Sequence, residues 1–290
     1  MSTATGPSPA QWRRRLRALA PSLSRDLPWT QCGSPWAVLV SEIMLQQTQV
    51  ARVIPAWERF LSRFPTPSAC AIAPLDEVIR LWEGLGYHRR AVNLHRAANA
   101  IVVDYGGEVP SEVDALSHLP GVGAYTARAV ASFAFGVPVG VLDTNVGRVL
   151  ARAVVGRSLA RAEAQALADE VAGAKDSAVL NQALLDLGAQ YCTARPRCSS
   201  CPVRRTCCWA GEGDDPATAS AAVSRAQPRF EGSRRQRRGQ LLAAMCDRPL
   251  TLDHATSLVG SEAHDILQDL IRDHLVTQRA GRFRLATTSG

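Results

Sequence analysis

Lysine is all but missing from this 290-residue chain: Lys175 is the only one, so arginine carries nearly all of its 33 basic charges. Against 26 acidic residues this leaves a formal net charge of +7. A planar guanidinium grips two phosphate oxygens at once, which an ammonium cannot do. A mild basic excess fits a nucleic-acid partner without singling one out, since many soluble proteins share it. No window of 18 or more apolar residues occurs, which excludes an ordinary membrane-spanning helix. The opening stretch MSTATGPSPAQWRRRL lacks the apolar centre of a secretion signal. The expectation is a soluble, cytoplasmic chain. In a reducing compartment its eight cysteines point to metal or redox chemistry rather than to a disulfide framework. Alternating strand patterns are also scarce, which predicts an all-α main body.

The length admits one large domain or two to three smaller ones, and 46% hydrophobic residues suffice for a sizeable core. Residues 1–10 are small and polar and are expected to be disordered. Apolar periodicity predicts one or two helices over Trp36 to Phe64, with a break near Pro55. Further helices are expected over Leu75 to Leu81, Arg90 to Tyr105, Thr126 to Phe135, Val146 to Val155 and Arg161 to Ala172. Ser111 is the expected cap of another, with Asp114 three residues on. Residues 209–229 have the small, polar bias of a linker. Beyond it, helices over Gln240 to Met245, Leu252 to Val259 and Ser261 to Leu275 precede two short strands, VTQR and RFRL. Three helices and a hairpin over residues 230–290 form a winged-helix-like pattern, used both for DNA contact and for protein contact.

Cys192, Cys198, Cys201 and Cys207 lie within 16 residues, interleaved with arginine, proline and serine, and Cys208 adjoins the last. Core cysteines, as Cys32, Cys70 and Cys246 are expected to be, do not cluster in this way. Four thiolates complete either a zinc site or an iron–sulfur cluster, and the spacing alone does not choose.

Leu119-Pro120-Gly121-Val122-Gly123-Ala124 lies between two expected helices. Alternate glycines allow a tight turn that directs N–H groups outward at a helix start, a site for a phosphate; the plain alternative is an ordinary helix–helix turn. Glu42 sits in the apolar run WAVLVSEIMLQQ. Burial there raises a carboxyl pKa and suits a general acid, while an exposed glutamate on an amphipathic helix is the other reading. Asp143 follows GVPVGVL and precedes a helix, which makes it an N-cap and also favours its ionised form.

From about Trp29 to Cys207 the chain resembles the helix-hairpin-helix, iron–sulfur DNA glycosylases, and among them the MutY-type adenine glycosylases. The matching segments are LPW at Leu27 to Trp29, SEIMLQQTQVARVIPAWERF, APLDEVIRLWEGLGYHRRAVNLH, LPGVGAYTA, LDTNVGRVLAR and NQALLDLGAQYC. MLQQTQV is the most discriminating. The resemblance implies a two-domain helical fold: residues 36–143 form a helical barrel carrying the hairpin, and residues 11–35 with 144–208 form the cluster domain, the active site lying in the cleft between them. It also implies a [4Fe–4S] cluster on Cys192, Cys198, Cys201 and Cys207, shaping a basic loop that bears Arg195, Arg197, Arg204 and Arg205. Bifunctional endonuclease III relatives place a Schiff-base lysine where this chain has Tyr125, so a monofunctional enzyme is expected.

By the same resemblance the target base is flipped from the duplex. A protonated Glu42 donates to N7 of adenine, and an ionised Asp143 stabilises the oxocarbenium-like sugar. Tyr125 and Asn145 line the pocket. Gln46, Gln47, Thr48 and Gln49 serve the opposite base and the vacated stack, Gly121 and Gly123 hold a phosphate, and Tyr87 is a wedge between bases, with core packing as its alternative. The expected partner is double-stranded DNA with adenine opposite 8-oxoguanine or guanine, bound by a monomer away from any membrane. Two departures stand out. The 61 residues from Phe230 are too few for the Nudix-like domain of many relatives, and five residues, not the common six, separate Cys192 from Cys198. Thymine or uracil mismatch excision ranks second, and DNA binding without catalysis third.

Overall fold

The structure, a computed structural model, describes residues 6–223 and 229–288. Residues 1–5 of the expected disordered start, and part of the expected linker (224–228), lie outside the described residues. Among those described the body is helical, apart from one two-stranded sheet. None of these helices is long and apolar enough to cross a membrane. The chain divides into two compact units, Met1–Thr30 with Ala127–Ala226 and Gln31–Thr126 with Gln227–Gly290.

In the first unit, helix α1 (Pro9–Leu23) starts inside the stretch expected to be disordered. Ser8 explains the early start: its hydroxyl accepts the Gln11 N–H, the Gln11 side chain accepts the Ser8 N–H in return, and Pro9 fills the first helical position. Trp12, Leu16 and Leu23 are buried on one face of α1. They join a core built from α9 (Thr144–Val149), α10 (Arg161–Ala172) and α11 (Ser177–Gln190), with Val146, Val149, Leu180, Leu184 and Leu187 at its centre. The helix expected over Val146 to Val155 is composite: α9 widens into a π-helical stretch, Leu150–Val155, closed by Gly156 in the left-handed region. Residues 209–223 form turns without regular elements, yet they are anchored: Ala217 and Ser220 are buried, and the Leu159 N–H donates to Ser220 Oγ at 3.1 Å.

The second unit opens with α2 (Pro35–Leu45), buried continuously from Trp36 to Met44. A helix apolar all round belongs in a core. It is followed by α3 (Val50–Arg63), α4 (Pro67–Ala71), α5 (Leu75–Leu81), α6 (Arg89–Tyr105) and α7 (Val113–His118). The break expected at Pro55 falls instead at Gln46–Gln49, where Gln47 takes a φ of 58°. Pro55 rides inside α3, because Val53, Ala56, Trp57 and Phe60 form a buried stripe whose packing outweighs one lost backbone bond. Ser111 does not cap α7: Glu112 holds the cap position and its carboxylate accepts the Ser111 hydroxyl at 2.8 Å. The hairpin leads into α8 (Ala124–Phe135), within which the division between the units falls.

The C-terminal residues belong to this unit. Helices α12 (Arg234–Asp247), α13 (Leu252–Val259) and α14 (Ala263–Arg272) precede an antiparallel hairpin of β1 (Val276–Arg279) and β2 (Arg282–Leu285), the winged-helix order the sequence predicts. Ser233 caps α12 through the Gln236 N–H, so that helix starts six residues before Gln240, and its arginines are helical. Leu241, Met245, Ile266, Leu270 and Phe283 are buried within the module. It is tied to α5 by the Leu75 N–H donating to Thr287 O at 3.0 Å and by Arg80 donating to Cys246 O.

Candidate active site

Glu42 stands on α2, 5% exposed and one helical turn before Gln46, so both side chains share a face. Gln46 Nε2 donates to Gly121 O at 3.3 Å and to Thr126 Oγ1 at 3.2 Å, joining the turn after α2 to the hairpin. Gly121 must be glycine on two counts: its φ is 80°, and a Cβ would lie 2.7 Å from that of Asn93. Gly121 and Gly123 are exposed, while Tyr125, second residue of α8, is half-buried. Gln47 and Gln49 face solvent, and Thr48 Oγ1 lies 3.3 Å from Leu85 O. Tyr87, half-buried, has a φ of 49°. Left-handed backbone at a non-glycine residue is costly and collects at functional loops. Gln47 and Tyr87 both carry it.

Sequence reasoning missed the group that holds these loops. Arg90, buried on α6, donates to the carbonyls of Ile43, Met44 and Gln46, to those of Leu85, Gly86 and Tyr87, and to Thr48 Oγ1, at 2.6–3.4 Å. One guanidinium thus fastens the turn bearing Gln46–Gln49 to the loop bearing Tyr87. Burial pulls its pKa down to about 10, which still leaves it charged at neutral pH. A signal existed: Arg90 occupies the apolar stripe that Leu94, Ala97 and Ile101 continue.

In the first unit Asp143 caps α9. Its Oδ1 accepts the Val146 N–H at 2.7 Å, and its Oδ2 accepts Asn145 Nδ2 at 2.6 Å. Asn145 Oδ1 in turn accepts Arg148 Nη2 at 2.5 Å, and Arg148 Nε donates to Cys192 O at 2.7 Å. Burial raises the Asp143 pKa above the ordinary carboxylate value, while the Val146 N–H, Asn145 and Arg148 act to lower it. The close packing of α11 on α9 depends on Gly188, where a Cβ would meet Asn145 at 2.7 Å.

Cys192, Cys198, Cys201 and Cys207 line one hollow, together with Leu187, Tyr191, Val203 and Trp209. Cys208 is not among its walls; its thiol donates to Val154 O at 3.2 Å. Arg152, also missed, approaches Cys192 Sγ with Nη1 at 3.6 Å, and the Ala210 N–H donates to Cys207 Sγ at 3.1 Å. Sulfur atoms that face a shared hollow and accept such bonds have the chemistry of thiolate ligands. No three His, Cys, Asp or Glu side chains among the described residues close on a single point as one metal ion needs. Arg152 forms a two-point pair with Asp215, at 2.8 and 2.6 Å, and its guanidinium lies 5.2 Å from the Trp209 ring centre.

Residues 40–171 match the model of the HhH-GPD superfamily base excision DNA repair proteins. The adenine DNA glycosylase of Mycolicibacterium smegmatis is 46% identical over 274 residues, covering 90% of this chain and 92% of the relative. That of Mycobacterium tuberculosis H37Rv is 44% identical over 275 residues, covering 90% and 89%. The human adenine DNA glycosylase is 42% identical over 198 residues, covering 63% of this chain and 36% of that protein. Among solved structures, a thermostable thymine-DNA glycosylase superposes with a TM-score of 0.61 at 26% identity, over 68% of this chain and 96% of its own. A trapped endonuclease III–DNA covalent intermediate does so with a TM-score of 0.57 at 27% identity, over 67% and 95%. With a relative this similar along nearly its whole length, the chain belongs to the MutY-type adenine DNA glycosylases of the helix-hairpin-helix base excision repair superfamily.

Proposed function

We infer that this chain is a monofunctional adenine DNA glycosylase of base excision repair, which hydrolyses the N-glycosidic bond of adenine mispaired with 8-oxoguanine or guanine in double-stranded DNA. The observation that carries this reading is the burial of Glu42 on α2, in a chain similar over nine-tenths of its length to adenine glycosylases. A carboxyl out of water holds a proton more tightly, as a general acid must. Glu42 donates that proton to N7 of the flipped adenine; the glycosidic bond breaks and its electron pair leaves with the base. Asp143, ionised, stabilises the oxocarbenium sugar; water then adds to the sugar carbon and releases a proton to solvent, from which Glu42 regains its own. The Val146 N–H and Asn145 Nδ2 favour the charged form of Asp143 against the effect of burial. Tyr125 offers no amine for a Schiff base, so strand cleavage is not part of the reaction. Gly121 and Gly123 take a phosphate, Tyr87 wedges into the stack, and Gln46, Gln47, Thr48 and Gln49 serve the opposite base.

Single-turnover excision on a mismatch panel tests this. Glu42→Gln is expected to lose about 100-fold or more, the usual worth of a general acid. Adenine opposite 8-oxoguanine should be released faster than adenine opposite guanine, and equal rates would remove that preference. Thymine release would support the second reading, and tight binding with no release of any base the third.

A [4Fe–4S] cluster fits the hollow lined by Cys192, Cys198, Cys201 and Cys207. When bound it supplies a rigid scaffold for the loop bearing Arg195, Arg197, Arg204 and Arg205. Iron analysis of Cys207→Ser and Cys208→Ser decides the fourth ligand: loss of iron is expected in the first and not in the second.

A further inference from the structure

Helix α12 carries Arg234, Arg235, Arg237 and Arg238 within five residues. Three of them turn to carboxylates of the C-terminal module: Arg234 to Asp269 at 2.6 Å, Arg237 to Glu262 at 2.5 Å and Arg238 to Asp273 at 2.5 Å. Arg235 turns elsewhere. Its guanidinium lies 5.2 Å from the ring centre of Tyr87 and 5.3 Å from that of Phe230, and it donates to Tyr87 Oη.

Around this contact lies a cavity of about 510 Å³, within the range of ligand sites, which run to roughly 300–1,000 Å³. Gln46, Gln47, Tyr87 and Asn93 form one wall and α12 the other. Five arginines (89, 90, 234, 235 and 238) line it against one carboxylate, Asp273. A second cavity of about 550 Å³ shares Gln47, Tyr87, His88 and Arg235 with the first and extends along Thr48, Gln49 and the glycines at 84 and 86. Arg235 and Tyr87 therefore stand at the junction of one continuous groove. Asp269 and Asp273 offset Arg234 and Arg238, and Glu83 lines the second cavity with Arg52. Arg89, Arg90 and Arg235 still leave the concave wall net positive, which suits a polyanion.

We propose that this groove is a DNA surface completed by the C-terminal module: α12 takes backbone phosphates of the strand that meets the Gln47 and Tyr87 loops, and Arg235 is the phosphate contact beside Tyr87. The proposal rests on the inference that the chain acts on DNA, and it gives residues 230–290 a task that reading leaves unassigned. Arginine suits this place because it presents donors to a phosphate while its flat face stays on the tyrosine ring. The Arg235–Tyr87 contact also links phosphate binding to the residue assigned as the wedge.

The test is equilibrium binding of the full chain to an undamaged duplex across a salt series, which requires no base release. Each phosphate contact contributes about one to the slope of log affinity against log salt. Arg235→Gln, which keeps a side chain over Tyr87, and Arg89→Ala, at an exposed wall residue, are each expected to lower that slope by about one and to weaken binding about tenfold at moderate salt. Arg237→Ala removes the same charge from the same helix outside the groove, and should change neither. An unchanged slope in Arg235→Gln and Arg89→Ala overturns the proposal, as does an equal drop in Arg237→Ala. Tighter binding by Arg235→Gln also overturns it, since the contact would then be an internal latch that DNA must displace. Failure to release adenine would instead remove the glycosylase reading and leave the salt slopes as they stand.

Discussion

Both units of this protein bury arginine, and two of the three buried among the described residues, Arg90 and Arg152, are neutralised in opposite ways. Arg152, in the unit that carries the cysteines, pairs at two points with Asp215 and approaches the sulfur of Cys192. Arg90, in the unit that carries Glu42, receives its compensation from backbone carbonyls, three of them at the C-terminal end of α2 where the helix dipole is negative. Burial disfavours the charge at both sites. It wins at Arg90, whose pKa falls to about 10, and loses at Arg152, where Asp215 and Cys192 bring a net rise. A carboxylate holds a guanidinium as a point partner. A ring of carbonyls makes the guanidinium hold the backbone, and the backbone it holds carries the turns with left-handed Gln47 and Tyr87.

Of substitutions in these two networks, Arg90→Ala should destabilise the fold most. Seven hydrogen bonds vanish, and those to the carbonyls of Ile43, Met44 and Leu85 are buried ones. Removing one partner from a buried charged network costs about 3–5 kcal/mol. Denaturant unfolding should show that loss, and amide hydrogen exchange should place it at residues 43–48 and 84–91. Arg90→Lys should recover little, because one ammonium cannot span both loops. A loss under 1 kcal/mol would show that the two turns support themselves.

That hub also marks where the sequence stops being legible. Helices set by a strong local pattern are plain in it: Leu75–Leu81, Arg161–Ala172 and both strands of the hairpin have the boundaries their periodicity predicts. The cap at Asp143 is legible for the same reason, since donor and acceptor lie three residues apart. Pro55 misleads because the burial of Trp57 and Phe60 overrides a local preference, and Ser111 because its hydroxyl bonds to the neighbouring carboxylate. Arg90, Arg148 and Arg152 act across long separations, 44 residues from Arg148 to Cys192 and 63 from Arg152 to Asp215. No window on the chain displays such pairings, although an arginine inside an apolar stripe is a visible anomaly. Resemblance supplied the candidate residues, and the geometry adds the side chains that hold them.

Asp215→Asn probes the other arginine. The substitution removes one partner of a pair in which Arg152 is 2% exposed and Asp215 27% exposed. The expected cost is about 2–3 kcal/mol, less than for Arg90 because solvent reaches Asp215 and the carbonyls of Cys192 and Thr193 still accept from Arg152. Purified Asp215→Asn protein should also retain less iron per chain, since Arg152 then loses the anchor that keeps it beside Cys192. Full iron retention with lowered stability would separate the pair from the cysteine loop.

The smallest effect separates the units by acid. His88 lies beside Arg90 and Arg238, with Arg89 and Asp273 on the same cavity wall, and burial together with the two guanidiniums holds its pKa at about 4. The folded chain therefore refuses a proton that the unfolded chain accepts near 6.5. Stability from this group is complete above 6.5 and is lost as pH falls towards 4, a decline of about 1–2 kcal/mol for a half-buried site. Asp215 behaves differently: the Arg152 hydrogen bond lowers its pKa, so its contribution survives until the pH drops below the ordinary carboxylate value. Between pH 6.5 and 4 the unit around Arg90 should weaken while the Arg152–Asp215 pair stays intact, and His88→Gln should flatten that part of the profile. Phosphates bound in the proposed groove would add negative charge beside Arg238 and His88, so duplex binding should raise the His88 pKa. An NMR titration of its ring with and without duplex measures that shift, and an unmoved His88 would place the phosphates elsewhere.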